Sequence, residues 1–364
     1  VTARDLAIAA VEAFHLAIPS VYGGPQPASG AQWPFIDMVM VRVETKGGLV
    51  GWGEAFGHKV AATSEAAFNT LVAPLAIGAD AGDMAGVGAM LRRALFTYGL
   101  DGPIGFALSG LDIALWDIRG QVEGQPVHKL LNPVSDATEV CAYASLLRYG
   151  DAEMAGEAAA DAVARGHRAV KLHESTVDAV AAARAAIGPD VPLTLDVNCR
   201  WSVEESLGHA KRLKSYGLDW IEEPCWPPEP EALARIAAES GVPIAAGENA
   251  GSLPGLERIA VVGKVAYIQP SAAKIGGISG LLAAREIAAR HGTKLATHSA
   301  YFGPALAATA QFCAAFGMDC EWYDCRLEAW PAGISPSGGT LALSNEAGLG
   351  ASVDAAIVRA FRVD

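Results

Sequence analysis

A chain of 364 residues is too long for one ordinary domain and suits a barrel of roughly 200–250 residues with a smaller companion, while 51% hydrophobic against 18% charged residues excludes a disordered chain. The formal charge of −13, from 27 basic and 40 acidic residues, argues against a nucleic-acid partner, so an anionic substrate would need a local cation from a bound divalent metal or a lysine. Six cysteines without a CxxC pair or zinc-ligand spacing fit a reduced cytosol, and Arg4, Asp5 and Glu12 break the early apolar run that export or membrane insertion would require.

In chain order, a first strand is followed by a Gly- and Pro-rich loop from Pro19 to Pro34. Residues 36–54 then alternate as a β-hairpin around Lys46-Gly47-Gly48, with Val39, Val41 and Val43 on one face. Leu108, Leu111, Leu115 and Ile118 recur at helical spacing. Residues 1–130 therefore read as an α+β capping domain. From 131 to 328 the pattern changes to short apolar runs at 139–145, 168–172, 193–197, 219–222, 243–247, 265–269, 293–298 and 319–323. Between them lie seven Ala-rich helical segments, such as 152–165, 203–216 and 279–291, often closed by a glycine. Eight strands alternating with seven helices predict an α/β fold, a modified TIM barrel of (β/α)7β form. Residues 329–364 read as a return segment packing on the first domain.

Polar residues fall at the ends of these strands. Lys171 and His173 end the second, Asp196 and Asn198 the third, Glu222 the fourth and Glu248 the fifth. Ser271 follows the sixth, His298 ends the seventh and Glu321 lies on the eighth. Successive steps of 25, 26, 26, 23, 27 and 23 residues each match one β/α unit. Parallel strands bring their C-terminal ends to one face, where such barrels place active sites. Any one of these acids alone reads as a solvated or helix-capping carboxylate. Asp196, Glu222 and Glu248 in register instead suit a hard octahedral cation such as Mg²⁺, and no thiolate cluster favours zinc.

Val170-Lys171-Leu172-His173, Asp196-Val197-Asn198, Trp220-Ile221-Glu222-Glu223-Pro224, Gly247-Glu248-Asn249, Lys274-Ile275-Gly276-Gly277-Ile278 and Glu321-Trp322 together resemble the strand-end motifs of the mandelate racemase subgroup of the enolase superfamily. Gly51-Trp52-Gly53-Glu54 and Ser109-Gly110-Leu111-Asp112-Ile113-Ala114-Leu115-Trp116-Asp117 resemble its capping-domain phrases, so the resemblance spans essentially the whole chain. It implies that Asp196, Glu222 and Glu248 hold Mg²⁺ and that Lys171 is the first lysine of a K-x-K pair. The pair's second lysine, normally the base, is replaced by His173. An imidazole is a competent base at neutral pH without the strong downward shift that a lysine requires. The resemblance also implies an oligomer, a substrate-positioning role for Asn198, and for Glu321 a protonated form that bonds a substrate carboxylate.

A second departure lies behind His298, whose usual aspartate partner is replaced within Gln269-Pro270-Ser271. Without that carboxylate the ring is expected to be less firmly oriented and a poorer base, so His298 reads as a general acid. Tyr143 and Ser145 on the first strand, and Tyr22, Trp33 and His58 in the capping-domain loops, are expected to contact substrate. The expected reaction is removal of a proton α to a carboxylate in a small sugar acid, with Mg²⁺ and Lys171 stabilising the charge. Dehydration to a 2-keto-3-deoxy acid comes first, cycloisomerisation of a sugar lactone or anhydro-sugar acid second, and racemisation or epimerisation third. A barrel with a degraded site serving as a binding protein is the non-enzymatic alternative.

Overall fold

The computed structural model describes residues 5–20, 34–351 and 353–363. Tyr22 and Trp33 lie outside them. The N-terminal cap is built on an antiparallel sheet of β1 (Ile8–Pro19), β2 (Phe35–Thr45) and β3 (Val50–Ala55), the last two forming the expected hairpin. The periodicity around Leu111 belongs to a helix of 21 residues, Pro103–Glu123, which lies on β3. Glycine makes that contact possible. A Cβ at Gly53 would sit 2.0 Å from the carbonyl oxygen of Gly110, and one at Gly51 would sit 2.3 Å from that of Ala114. The two capping-domain phrases are thus the two sides of one close helix–sheet approach.

The second unit is a curved sheet of eight parallel strands: β4 (Glu139–Ser145), β5 (Val170–Leu172), β6 (Leu193–Asp196), β7 (Ile221–Glu222), β8 (Ile244–Ala246), β9 (Tyr267–Ile268), β10 (Lys294–Leu295) and β11 (Cys320–Tyr323). Strands β4 to β10 pair in chain order, and β11 pairs with the free side of β4. At the seam between β10 and β11, the Ser299 N–H donates to the Glu321 carboxylate at 2.8 Å. Seven helices join the strands: Ala152–Ala164, Val177–Ile187, Val203–Leu213, Pro230–Ser240, Leu253–Val261, Gly277–His291 and Pro304–Phe316. Their starts follow from local chemistry. Asp151 and Thr176 cap the first two, and Ser202 with Glu205 forms a capping box on the third. Residues on the outer face of the strands, such as Leu172, Leu195, Ile221 and Ile244, are buried between strands and helices, each contributing roughly 1.5–3 kcal/mol.

The return segment divides its contacts. Strand β13 (Thr340–Ala342) pairs with β4 of the barrel, after a two-residue partner β12 (Pro336–Ser337). The Ala355–Phe361 helix packs against β1 of the cap, where the Arg362 guanidinium lies 4.7 Å from the Phe14 ring centre. Two carboxylates, Asp112 and Glu54, tie cap to barrel, and a third, Asp117, ties the cap to the return segment. Asp117 accepts the N–H groups of Trp52 and Leu349, Asp112 accepts that of Ser279 at the start of the Gly277–His291 helix, and Glu54 accepts that of Ala305 at the start of Pro304–Phe316. Acids at helix N-termini satisfy donors that the helices cannot. Among the described residues no helix is long and apolar enough to cross a membrane.

Candidate active site

The strand ends converge as the spacing requires. Asp196 ends β6, Glu222 ends β7 and Glu248 follows β8 by two residues. Each presents a carboxylate oxygen within 4.8 Å of the other two. Just beyond them the backbone adopts left-handed conformations at Asn198 (φ 48°), Cys199 (φ 56°) and Glu223 (φ 42°), a costly geometry that recurs at functional sites. Local hydrogen bonds hold it. The Asn198 N–H donates to Asp196 at 2.8 Å, the Cys199 N–H to the Glu223 carbonyl at 2.7 Å, and the Gly247 N–H to the Glu223 side chain at 3.1 Å. Burial pushes Glu223 up to about 7, with Glu248 adding to it.

The electrostatics of the triad fit a divalent cation. Lys171 is completely buried, with its ammonium 2.7 Å from Glu321, 2.9 Å from Glu222 and 3.5 Å from Asp196. Burial alone would depress Lys171, but Glu222, Glu321 and Asp196 override it and hold the ammonium well above its ordinary value. With Glu248, the cluster has four carboxylates around this one buried lysine. Burial first, then Asp196, Glu321 and Glu248, drives Glu222 well above the usual carboxylate range despite Lys171. Asp196 Oδ2 is buried without a hydrogen-bond partner among the described residues. Crowded, desolvated carboxylates with an unsatisfied oxygen are the donor set a hard cation completes. Glu222 is further fixed by the Gln269 amide at 2.7 Å and the Trp220 indole N–H at 3.2 Å.

Two histidines flank the triad. His173 Nδ1 lies 2.5 Å from the Leu146 carbonyl oxygen, which assigns a proton to Nδ1, and its Nε2 lies 3.3 Å from Asp196 on the side of the triad. His298 is held differently. Its Nε2 lies 3.0 Å from Glu248 and so carries a proton, while its Nδ1 is buried without a partner among the described residues. Ser271, at the position of the missing aspartate, pairs with His298 in the backbone but turns its hydroxyl to Tyr301 OH.

A cavity of about 320 Å³ opens over this floor, lined by His173, Asn198, Glu248, His298 and Glu321 from the barrel and by Asp37, Glu54, Phe56 and His58 from the cap. His58 thus reaches the cavity as expected from the sequence, and burial with Lys59 nearby lowers it to about 4. Tyr143 and Ser145 do not line it. Their side chains are buried in the barrel, where Tyr143 sits in register with Glu321 and Ser145 with Lys171. In-register neighbours share a strand face, so both point into the barrel interior with Lys171 and Glu321, where they are buried and do not reach the cavity lining. Glu321 lines the cavity beside Lys171: burial would raise it, but Lys171, His298 and the Ser299 N–H hold it below the usual carboxylate range. Arg148, Lys274 and Tyr301 line the cavity without having been assigned roles from the sequence. Their loops carry no strand-end spacing that would reveal them.

Residues 33–132 match the family described as "Mandelate racemase / muconate lactonizing enzyme, N-terminal domain", and 153–357 match "Enolase C-terminal domain-like". The chain belongs to the mandelate racemase/muconate lactonizing enzyme family of the enolase superfamily. It is 33% identical over 289 residues to D-galactarolactone cycloisomerase of Agrobacterium fabrum, covering 77% of this chain and 76% of that protein. It is 34% identical over 294 residues to D-galactonate dehydratase of Ralstonia pickettii, covering 76% and 74%. A mandelate racemase/muconate lactonizing protein of Paracoccus denitrificans PD1222, crystallised with magnesium, superposes with a TM-score of 0.84 at 26% identity, covering 98% of this chain and 96% of that one.

Proposed function

We propose that this protein is a Mg²⁺-dependent enzyme that removes the proton α to the carboxylate of a sugar acid and expels a β-oxygen, giving a 2-keto-3-deoxy acid. The observation that carries this reading is the Asp196–Glu222–Glu248 triad placed between two histidines on one cavity, His173 anchored through Nδ1 and His298 through Nε2. Mg²⁺ held by these three carboxylates would stabilise the negative charge that develops when a carbon acid next to a carboxylate loses its proton. His173, its ring fixed by the Leu146 carbonyl, offers Nε2 to accept the α-proton. His298 offers Nε2–H to the departing oxygen. Glu321 and Lys171 fix the acidic floor, and the cap closes the cavity over it.

Cycloisomerisation is the second reading, supported by the relative from Agrobacterium, because it expels a β-oxygen after the same proton removal. Racemisation needs a base on each face. It is disfavoured because His298 Nδ1 has no partner among the described residues and Ser271 is engaged by Tyr301. A non-catalytic barrel is disfavoured by the complete triad and by relatives that are enzymes. The site serves a small carboxylate substrate, and assembly into a homo-oligomer follows the family resemblance. The reading extends to a cytoplasmic sugar-acid catabolic role for the chain.

The test is α-proton exchange in D₂O with Mg²⁺ across a panel of sugar acids and lactones, with product followed as a 2-keto acid. His173→Asn should abolish both exchange and turnover, while His298→Asn should abolish turnover and keep exchange. Swapped results would reverse the two roles. Absence of exchange from every acid would end the enzymatic reading.

A further inference from the structure

Arg148 stands three residues past β4 on the cavity wall. Its Nε donates to the His173 carbonyl at 2.6 Å and its Nη2 to the Asn198 side chain at 3.0 Å, so the guanidinium is already oriented. Both acceptors are neutral. In this acidic chain Arg42, Arg165, Arg235, Arg258, Arg290 and Arg362 each pair with a carboxylate. Arg148 has none within ion-pair distance among the described residues, and its Nη1 has no protein acceptor there. Burial, with Arg200 close by, lowers its proton affinity although Asp196 and Glu174 act from farther off to raise it, so this partly desolvated cation is only partly compensated.

We propose that Arg148 forms a subsite for a second carboxylate at the end of the substrate remote from the reacting carbon, so that the preferred substrate is a dicarboxylic sugar acid or its monolactone. The inference rests on the function proposed above and narrows its substrate class. The reacting carboxylate belongs at the floor, beside the triad. Arg148 instead contacts the His173 carbonyl and Asn198, on the wall formed by the loops after β4, β5 and β6. Lys274, also without an ion pair among the described residues, lines the opposite side of the cavity, bonded to Asn249 and 4.3 Å over the Phe56 ring. A guanidinium fork binds a carboxylate through paired N–H donors, which a primary hydroxyl cannot match.

The test is calorimetric binding, in Mg²⁺, of aldarate and aldonate pairs that share one sugar configuration, such as galactarate with galactonate. In the best-bound configuration the diacid should bind at least about tenfold more tightly, as a charge-assisted bond predicts. Arg148→Met should erase that preference while the monoacid keeps its affinity, and Arg148→Lys should retain part of it. Equal affinities for diacid and monoacid in the wild type would overturn the proposal. So would an Arg148→Met variant that weakens both acids alike, which would make Arg148 a strut for the His173 loop. Failure of the underlying function is distinguishable, because then neither acid would exchange its α-proton.

Discussion

The seam between cap and barrel can be tested through Glu54→Gln. Glu54 is 1% exposed, accepts the Ala305 N–H at 2.9 Å, and is raised by burial from 4.5 to about 7 despite that bond and one from Gly303. An acid whose folded pKa lies above its unfolded value binds its proton more tightly in the folded chain. That contribution is complete below about pH 4.5 and is lost as pH rises through about 7. At about 1.4 kcal/mol per pH unit, the rise amounts to about 3 kcal/mol. Gln mimics the protonated acid and its carbonyl can still accept from Ala305. The variant should therefore match the wild type near pH 4.5 and exceed it above pH 7. An unfolding entropy of about 2.1 cal/mol/K per residue makes the difference roughly 4 °C in Tm. Asp112 and Asp117, each raised to about 6 by burial, titrate equally in both proteins and cancel. Melting curves at half-unit pH steps give the measurement. A Tm difference that stays constant from pH 5 to pH 8 would refute the reasoning.

Glu222→Gln should weaken Mg²⁺ binding by more than about 100-fold in calorimetry, beyond the loss of an outer-shell partner, while the chain still folds. Lost cooperativity with unchanged metal binding would contradict the assignment. Gly53→Ala places a methyl group 2.0 Å from the Gly110 carbonyl and should cost about 1–3 kcal/mol in denaturant unfolding. Ser271→Asp supplies an acceptor behind His298 Nδ1, and deuterium should then enter the α-carbon from the His298 face, seen as the epimeric acid by NMR. An unchanged stereochemical course would show that the missing carboxylate is not what separates the two histidines.

The barrel and its floor were legible in sequence because both obey one repeat. Each β/α unit adds about the same length, so Asp196, Glu222 and Glu248 announce themselves by interval, and His173 by its place beside Lys171. The walls were not legible. Arg148 and Tyr301 stand on loops whose course is set by neighbouring elements, and a lone Arg or Tyr in a loop carries no interval. Tyr143 and Ser145 share the strand face of Glu321 and Lys171, but depth within the barrel, which spacing does not encode, keeps them out of the cavity lining. Gly51, Gly53 and Gly110 were visible as part of a phrase, yet their role in one backbone approach needs both elements in space.

The replacement of the usual aspartate by Ser271 was legible as a loss, and its effect depends on Tyr301. A serine hydroxyl could have accepted from His298 Nδ1 and restored a weak dyad. Tyr301 takes that hydroxyl instead, and its ring packs edge-on against His298 with centroids 6.2 Å apart. His298 is therefore oriented from its front, through Nε2 and Glu248, whereas His173 is oriented from behind, through Nδ1 and the Leu146 carbonyl. Held through Nδ1, His173 has Nε2 as the nitrogen left to act on substrate, whereas His298 has Nε2 engaged by Glu248 and no partner at Nδ1 among the described residues. That difference, more than the identity of either side chain, is what makes a one-base elimination a better fit to this cavity than a two-base racemisation.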